Sequence, residues 1–316
     1  MSRRSLPTLA FLGVWIAVSP YGPMASAAER VTVGGGPIGG TFYTVASGFA
    51  RILTEDAGYS ASVEVGNGST HNVQLVDAGQ TDFGITNASV FYAGMNGEGW
   101  AKGKKYQNGR LLFGMQLSYL HFWTLKSTGL KSLDDLNGRI VNLSAKGSGA
   151  DVTGRKILAL LDIKPDKITN VGHNDANQLM QDGLAHAALT AGGLPHPAVS
   201  ALAATHEIAV FGVGGKQVDV FLKANPALSH AILPKGTYRG VTYDVPTVGD
   251  WNIMLVNKNL SDEKVYQVMK ATFAHIDKWI AVHASAKETK PENIKGLMQY
   301  PIHPGAMRYY KEQGIL

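Results

Sequence analysis

Five short runs rich in glycine, serine, threonine and asparagine each stand between a strand pattern and a helix pattern. They are Gly34-Gly35-Gly36-Pro37-Ile38-Gly39-Gly40, Gly66-Asn67-Gly68-Ser69-Thr70, Thr86-Asn87-Ala88-Ser89, Lys146-Gly147-Ser148-Gly149-Ala150 and Thr190-Ala191-Gly192-Gly193. A chain that alternates strand, tight turn and helix has few options. It builds a mainly parallel sheet with helices on both faces. In an open sheet of that kind the strand ends carrying such turns line the ligand crevice. Glycine supplies 37 of the 316 residues, about 12% against an ordinary ~7%, and the turns hold much of the excess.

The rhythm runs along the whole chain. Val31-Thr32-Val33 reads as a strand. From Thr41, apolar residues at Phe42, Val45, Ala46, Phe49, Ile52 and Leu53 mark one buried helix face. Strands are expected at 61–65 and 83–87, each followed by a helix, one with Val73, Leu75 and Val76 inward, the other short through Val90 and Phe91. A Gly/Lys-rich loop spans Gly94 to Gly109. Leu111 to Leu125 suits a long buried strand that crosses between domains. A second alternating set predicts strands at 139–143, 168–171, 187–190 and 208–213, with helices at 151–161, 174–181 and 197–204. A strand near 248–256 and helices over 262–280 and 304–313 close the pattern. Five polar turns in two sets imply a polar cleft between two domains.

Arg3 and Arg4, an apolar run from Leu9 to Val18, and Ala25-Ser26-Ala27 read as a cleavable export leader. Ten apolar residues cannot span ~30 Å of hydrocarbon. The paired arginines leave Sec and Tat export both open. The expected mature protein is soluble, exported and about 289 residues long, a length that suits two domains. There is no cysteine, which excludes a disulfide scaffold and any Cys-ligated metal site. Without the leader, 27 basic side chains face 24 acidic ones, +3, and the charges are interspersed. No basic stripe with interleaved aromatics supports nucleic-acid binding.

Gly34-x-Gly36-x-x-Gly39 matches the dinucleotide fingerprint between a strand and a helix. The fingerprint also needs an acid at the end of the next strand. Glu64 sits inside that strand, and Gly66-Asn67 ends it. The same turn serves a carboxylate ligand, because its backbone N–H groups and helix end favour an anion. A tight turn with no ligand is the plain alternative. No Gly-x-Ser-x-Gly elbow, His-Glu-x-x-His or cysteine nucleophile is present. Of the ten histidines, His71, His121, His186 and His196 fall near candidate cleft loops; surface or structural roles are expected. His303 is expected to cap or pack before Pro304. Asp134-Asp135 fits a short helix start, not an acid–base pair. Phe122, Trp123 and Trp251 fit core or hinge packing, and Trp251 could also wall a pocket. No metal site or cofactor is expected.

Taken in order, several segments resemble the TAXI family of solute-binding proteins, the receptors of TRAP transporters. They are Gly39-Gly40-Thr41-Phe42-Tyr43, Gly66 to Asn72, Gly79-Gln80-Thr81-Asp82-Phe83-Gly84-Ile85, Gly147-Ser148-Gly149, Leu179-Met180-Gln181-Asp182-Gly183 and the closing His303 to Glu312. The resemblance implies a two-lobed receptor that closes on a small organic acid or acidic amino acid, glutamate- or 2-oxoglutarate-like, and delivers it to a membrane permease. Three departures stand out: Ala150 where relatives carry Thr, Ala185-His186-Ala187 where they often carry Asp, and Gln116 where an aromatic is frequent.

The expected architecture is therefore α/β, a two-lobed periplasmic binding protein of Venus-flytrap, type II-like form. The expected segments are a signal peptide at 1–27, lobe one at 28–120 plus 240–316, and lobe two at 121–239. Hinges are expected near Leu120–Lys126 and Tyr243–Asp250. The solute carboxylate should meet backbone N–H groups at Gly39, Gly40, Thr41 and Phe42, with Tyr43 following. Asn67, Ser69, Thr70 and Asn87 should complete lobe one's contacts, and Ser148, Gly149, Thr190 and Gly192 should approach from lobe two. No Arg or Lys stands out as a clamp, although Lys146 and Arg155 lie near a turn. The expected protein is a periplasmic monomer cleaved near Ala27, with a solute and TRAP permease subunits as partners. The rivals are an exported enzyme with an anionic substrate or nucleotide at the Gly-rich loop, and a stand-alone sensor.

Overall fold

The first strand, β1 (Arg30–Gly34), runs into the glycine turn and helix α1 (Thr41–Asp56). That helix buries Phe42, Val45, Ala46, Phe49, Ile52 and Leu53, the face set by the spacing. The computed structural model describes residues 28–225 and 227–316; the leader expected at 1–27 lies outside the described residues.

Two more strand–helix units follow: β2 (Ser60–Glu64) with α2 (Ser69–Asp77), and β3 (Phe83–Asn87) with α3 (Ala88–Asn96). β1 lies between β2 and β3, parallel to both. The chain then enters the long strand β4 (Gly109–Leu125). The second set comprises β5 (Ile140–Asn142), α4 (Gly149–Leu160), β6 (Lys167–Thr169), α5 (His173–Gln181), β7 (Ala187–Gly192), α6 (Pro197–Thr205) and β8 (Ile208–Phe211). α7 (Gly215–Ala224) and β9 (Ser229–Leu233) precede the second long strand, β10 (Val245–Asn257). Helices α8 (Asp262–Ala274), α9 (Ile276–Val282) and α10 (Pro304–Glu312) finish the fold.

The strands form a curled sheet in the order β2-β1-β3-β10-β4-β7-β5-β6, with β8 on β4 and β9 on β10. β4 and β10 pair antiparallel and pass through both halves. Their apolar residues change allegiance along the way. Met115 and Ile253 pack in one core with residues from Val31 to Tyr310, while Leu120 and Val248 pack in a second. A third cluster, around Trp123 and Val199, continues the second half. The chain thus crosses between its cores at 115–120 and at 248–253.

Three elements depart from the sequence pattern. The helix expected over 262–280 breaks at His275, whose φ of −123° ends α8 before α9 starts. α7 and β9 carry no strong pattern: α7 buries only Val218 and Phe221, and β9 is mostly exposed. His303 caps α10 by accepting from the Gly305 N–H, and Asp135 closes its turn by accepting from Lys131 and Ser132.

Candidate functional site

The two halves meet along a polar seam, and the turns after β1, β2, β3, β5 and β7 all reach it. The reason is topological: parallel strands in each half point their C-terminal ends toward the crossing strands. Helix N-termini follow, and the first N–H groups there have no intrahelical partner. Gly40, Gly68, Asn87 and Gly172, the caps of α1, α2, α3 and α5, provide no side-chain cap; at α4, Ser148 accepts from the Asp151 N–H.

The N-termini of α2, α3 and α4 converge on one amide. Ser69 Oγ donates to Asn87 Oδ1 at 2.7 Å, and Asn87 Nδ2 donates to Asn252 Oδ1 at 3.0 Å. From the other half, Gly149 comes so close that a β-carbon there would overlap Asn87 Oδ1. Glycine is required at that position by contact alone. Hydrogen bonds across the seam hold the halves closed. Thr70 donates from its N–H (3.1 Å) and its Oγ1 (2.8 Å) to the Gly147 carbonyl. Thr41 Oγ1 donates to Gly193 O at 3.2 Å, and His283 Nε2 to Pro195 O at 3.2 Å.

The structure thus brings together Thr41 with Gly192, and Ser69, Thr70, Asn87, Ser148 and Gly149 with one another; all are buried. Gly39 and Gly40 lie under α5: Gly39, at φ +83°, meets Asn174, and Gly40 meets His173. Thr190 is buried on β7 opposite His121. Asn67 is exposed and lines an open mouth of about 630 Å³ with Lys146, Asn170 and Asn174. The Phe42 ring belongs to the first core, Trp251 packs against the same core, and Tyr43 is half-buried. Arg155 is engaged by Asp151 (2.7 Å) and Asn170 (2.8 Å), so it is not a spare clamp.

Several further residues of the seam lie outside the five turns. Gln116 and Ser118 on β4, Asn252 and Asp250 on β10, and His173 on α5 are all buried. Both polar atoms of the Gln116 amide, Ser118 Oγ, Asn252 Nδ2, His173 Nδ1 and His196 Nδ1 have no hydrogen-bond partner among the described residues. Asn252 sits where the pairing of β10 with β4 shifts register, between Trp251 and Ile253. Such bulges re-aim side chains beside functional sites. Burial holds the His121 and His173 rings down at about 4, and pushes His196 well below the usual imidazole range. These rings are therefore neutral near pH 7. His71, His121 and His186 serve the scaffold: His71 Nδ1 accepts from Asn67 N–H, His186 Nδ1 from Ile140 N–H, and His121 bridges Tyr119 O and Tyr238 Oη.

Among the described residues no cluster of His, Asp or Glu could hold a metal ion, and no helix is long and apolar enough to cross a membrane. Apart from Asp250, what the seam offers is a set of neutral dipoles: helix N–H groups, amides, hydroxyls and imidazoles. In a closed, dry site these give strong, directional hydrogen bonds.

The model of the NMT1-like family matches residues 33–314. Among solved structures, the chain is similar to the periplasmic binding protein BugD, with a TM-score of 0.59, 13% identity, and 91% of this chain and 98% of that one covered. It is similar to an R. palustris protein solved with adipate, with a TM-score of 0.57, 19% identity, and 92% and 94% covered. A binding-protein component of an ABC phosphonate transporter from Pseudomonas aeruginosa gives 0.52 and 10%, with 83% and 80% covered. The shared property is the fold, the two-lobed α/β architecture of periplasmic solute-binding proteins.

Proposed function

The chain belongs to the NMT1-like family, and on that premise we propose that it is an extracytoplasmic receptor. It closes on a small carboxylate-bearing solute and hands it to a membrane permease. The observation that carries this reading is the seam itself. Helix N-termini from both halves face each other there, beside buried polar atoms that no described residue satisfies. Buried polar groups are ordinarily paired. A solute held in the closed form supplies the missing partners, and its preference for that form drives closure.

In this reading lobe one is 28–120 plus 240–316, lobe two is 121–239, and the crossings of β4 and β10 are the hinge. The solute carboxylate meets the N–H groups at Gly39–Tyr43 and the turns at Asn67–Thr70, Asn87, Ser148–Gly149 and Thr190–Gly192. Trp251 borders the site. The R. palustris neighbour's adipate, a dicarboxylate, agrees with an anionic solute. The TAXI resemblance supports a TRAP-type permease as partner, a cleaved leader and a monomeric periplasmic receptor. No chemistry is assigned to the site.

Thermal melting against a panel of organic acids and amino acids tests the reading. A ligand at about 100 times its Kd stabilises by about 2.7 kcal/mol, or several degrees. The expected result is such a shift with no turnover. Thr41→Ala and Asn67→Ala should each weaken the responding solute at least tenfold. Product formation, or a shift with a nucleotide alone, overturns the receptor reading. Unchanged affinity in both variants overturns the placement of the pocket.

A further inference from the structure

Asp250 is the charged residue of the seam that the receptor reading leaves unexplained. It lies on β10 at the crossing, opposite Ser118 of β4, and is 7% exposed. Ser89 donates its N–H to Oδ1 at 3.3 Å and its hydroxyl to Oδ2. No basic side chain among the described residues forms an ion pair with it. Removing a carboxylate from water without a counterion is unfavourable, and burial pushes Asp250 up to about 7 against the opposing pull of the Ser89 hydrogen bonds and Lys156. An asparagine would fill the same space without that penalty. Stability of the ligand-free protein therefore gives no reason for an acid here.

The surroundings give one. Asp250 lines a narrow void with Asn87, Ser118 and Thr153. Ser118 Oγ, on a residue 1% exposed, has no partner. Through Thr153 and Leu228 the void adjoins a cavity of about 380 Å³ between the halves, walled by Ser89, Lys156 and Tyr300 among others. Asn87 belongs to this void and also to the convergence of the α2, α3 and α4 N-termini. One side of Asn87 thus favours negative charge, and the other presents an acid without a counterion.

We infer that Asp250 accepts the ammonium group of the solute, so that the cleft selects an amine-bearing acid, an amino acid zwitterion, over the matching 2-oxo acid. This rests on the receptor reading and names the feature of the solute that the seam discriminates. The carboxylate end meets the helix N-termini and the ammonium end meets Asp250, with Ser118 accepting a second N–H. A site built to pair a polar group rejects the analogue that lacks it, because its own group is then left buried and unpaired.

The test is calorimetric binding of matched pairs: L-glutamate with 2-oxoglutarate, L-alanine with pyruvate, and L-leucine with 4-methyl-2-oxopentanoate. In the best-binding pair the amino acid should bind at least tenfold tighter than the oxo acid. Asp250→Asn should weaken that amino acid at least tenfold and change the oxo acid by less than about threefold. The same variant should melt above the parent at pH 8 without ligand, which also shows that it folds. A second arm needs no variant. The titratable side chains around Asp250 are Lys156, Glu98, Tyr92 and Tyr300, and none is a histidine. As Asp250 ionises between pH 6 and 8, amino acid affinity should rise about tenfold while oxo acid affinity stays flat. An oxo acid that binds as tightly as its amine partner, or equal weakening of both by Asp250→Asn, overturns the assignment and leaves the receptor standing. No binding by any of the six, with no solute retained in native mass spectrometry, overturns both.

Discussion

The first core and the seam between the halves are both buried, yet they treat polar atoms differently. In the core, Phe49, Phe83, Phe113 and Trp279 meet at ring-centroid distances of 5.4–6.0 Å. The polar tips of the large side chains find partners: Trp279 Nε1 donates to Val45 O at 2.8 Å, and Tyr310 Oη to Leu112 O at 2.9 Å. In the seam, Gln116, Ser118, Asn252, His173 and His196 each keep at least one buried atom without a partner. Asn72, Thr81 and Thr289 add one each elsewhere. Five of the eight described residues with such atoms lie in the seam, where a solute is expected. Burial measures stability in the first region; unspent hydrogen-bonding capacity points to binding in the second.

The contrast can be tested first where the effect is largest. Trp279→Ala removes a fully buried indole and its hydrogen bond to Val45 O. The expected loss is about 3–5 kcal/mol in chemical denaturation, with little change in solute affinity for the fraction that folds. If affinity instead falls as steeply as stability, the core and the seam are one cooperative unit and the comparison breaks.

Acid should strike the seam next. His173 is held at about 4 by burial, below the usual 6.5 of an unfolded chain. Between those values the unfolded chain binds the proton that the folded one refuses. Stability from this group is therefore complete above about 6.5 and is lost as the pH falls toward 4. The expected loss is about 2–3 kcal/mol between pH 7 and 4, read from urea midpoints. The ring lies 4.5 Å from that of His196 and faces Gly40 across the seam. His173→Asn should flatten the slope in part, since His121 and His196 still titrate. An unchanged slope would show that the acid response lies outside the seam.

The rhythm that made the fold legible is local. Strand, glycine turn and helix each leave a mark within about fifteen residues, so α1, α4 and the crossing strand β4 could be read from spacing. α7 and β9 left no such mark, because they are thin elements with one or two buried residues. The break at His275 was hidden for another reason. Apolar spacing continues through it, and only packing of α8 against α10 and of α9 against α1 redirects the chain. The site divides along the same line. Ser69, Asn87, Gly149 and Thr41 sit in turns whose composition announces them. Gln116, Ser118 and Asp250 sit inside long strands and reach the seam because β4 and β10 cross there, whereas His173 arrives at the N-terminus of α5. At the edges of the turns, the Phe42 ring packs in the core and Asn67 stays at the exposed mouth.

The smallest expected effect separates the two regions most cleanly. Gln116 is fully buried, and neither its nitrogen nor its oxygen is paired among the described residues. Gly193, the acceptor of the Thr41 hydrogen bond, lies against its side chain. Gln116→Leu keeps much of the volume and removes both unpaired atoms. An unsatisfied buried amide costs about 1–3 kcal/mol, and lost side-chain complementarity returns part of that. The ligand-free protein should therefore gain about 1 kcal/mol, the reverse of a core substitution. Solute affinity should fall about tenfold, because the amide's partners are then missing from the closed form. Parallel urea titrations with and without solute read both numbers. A variant that is more stable and binds as well as the parent would mean that the solute does not reach Gln116. A variant that is less stable would mean that the amide already has a partner in the protein, and that this stretch of the seam is built like the core.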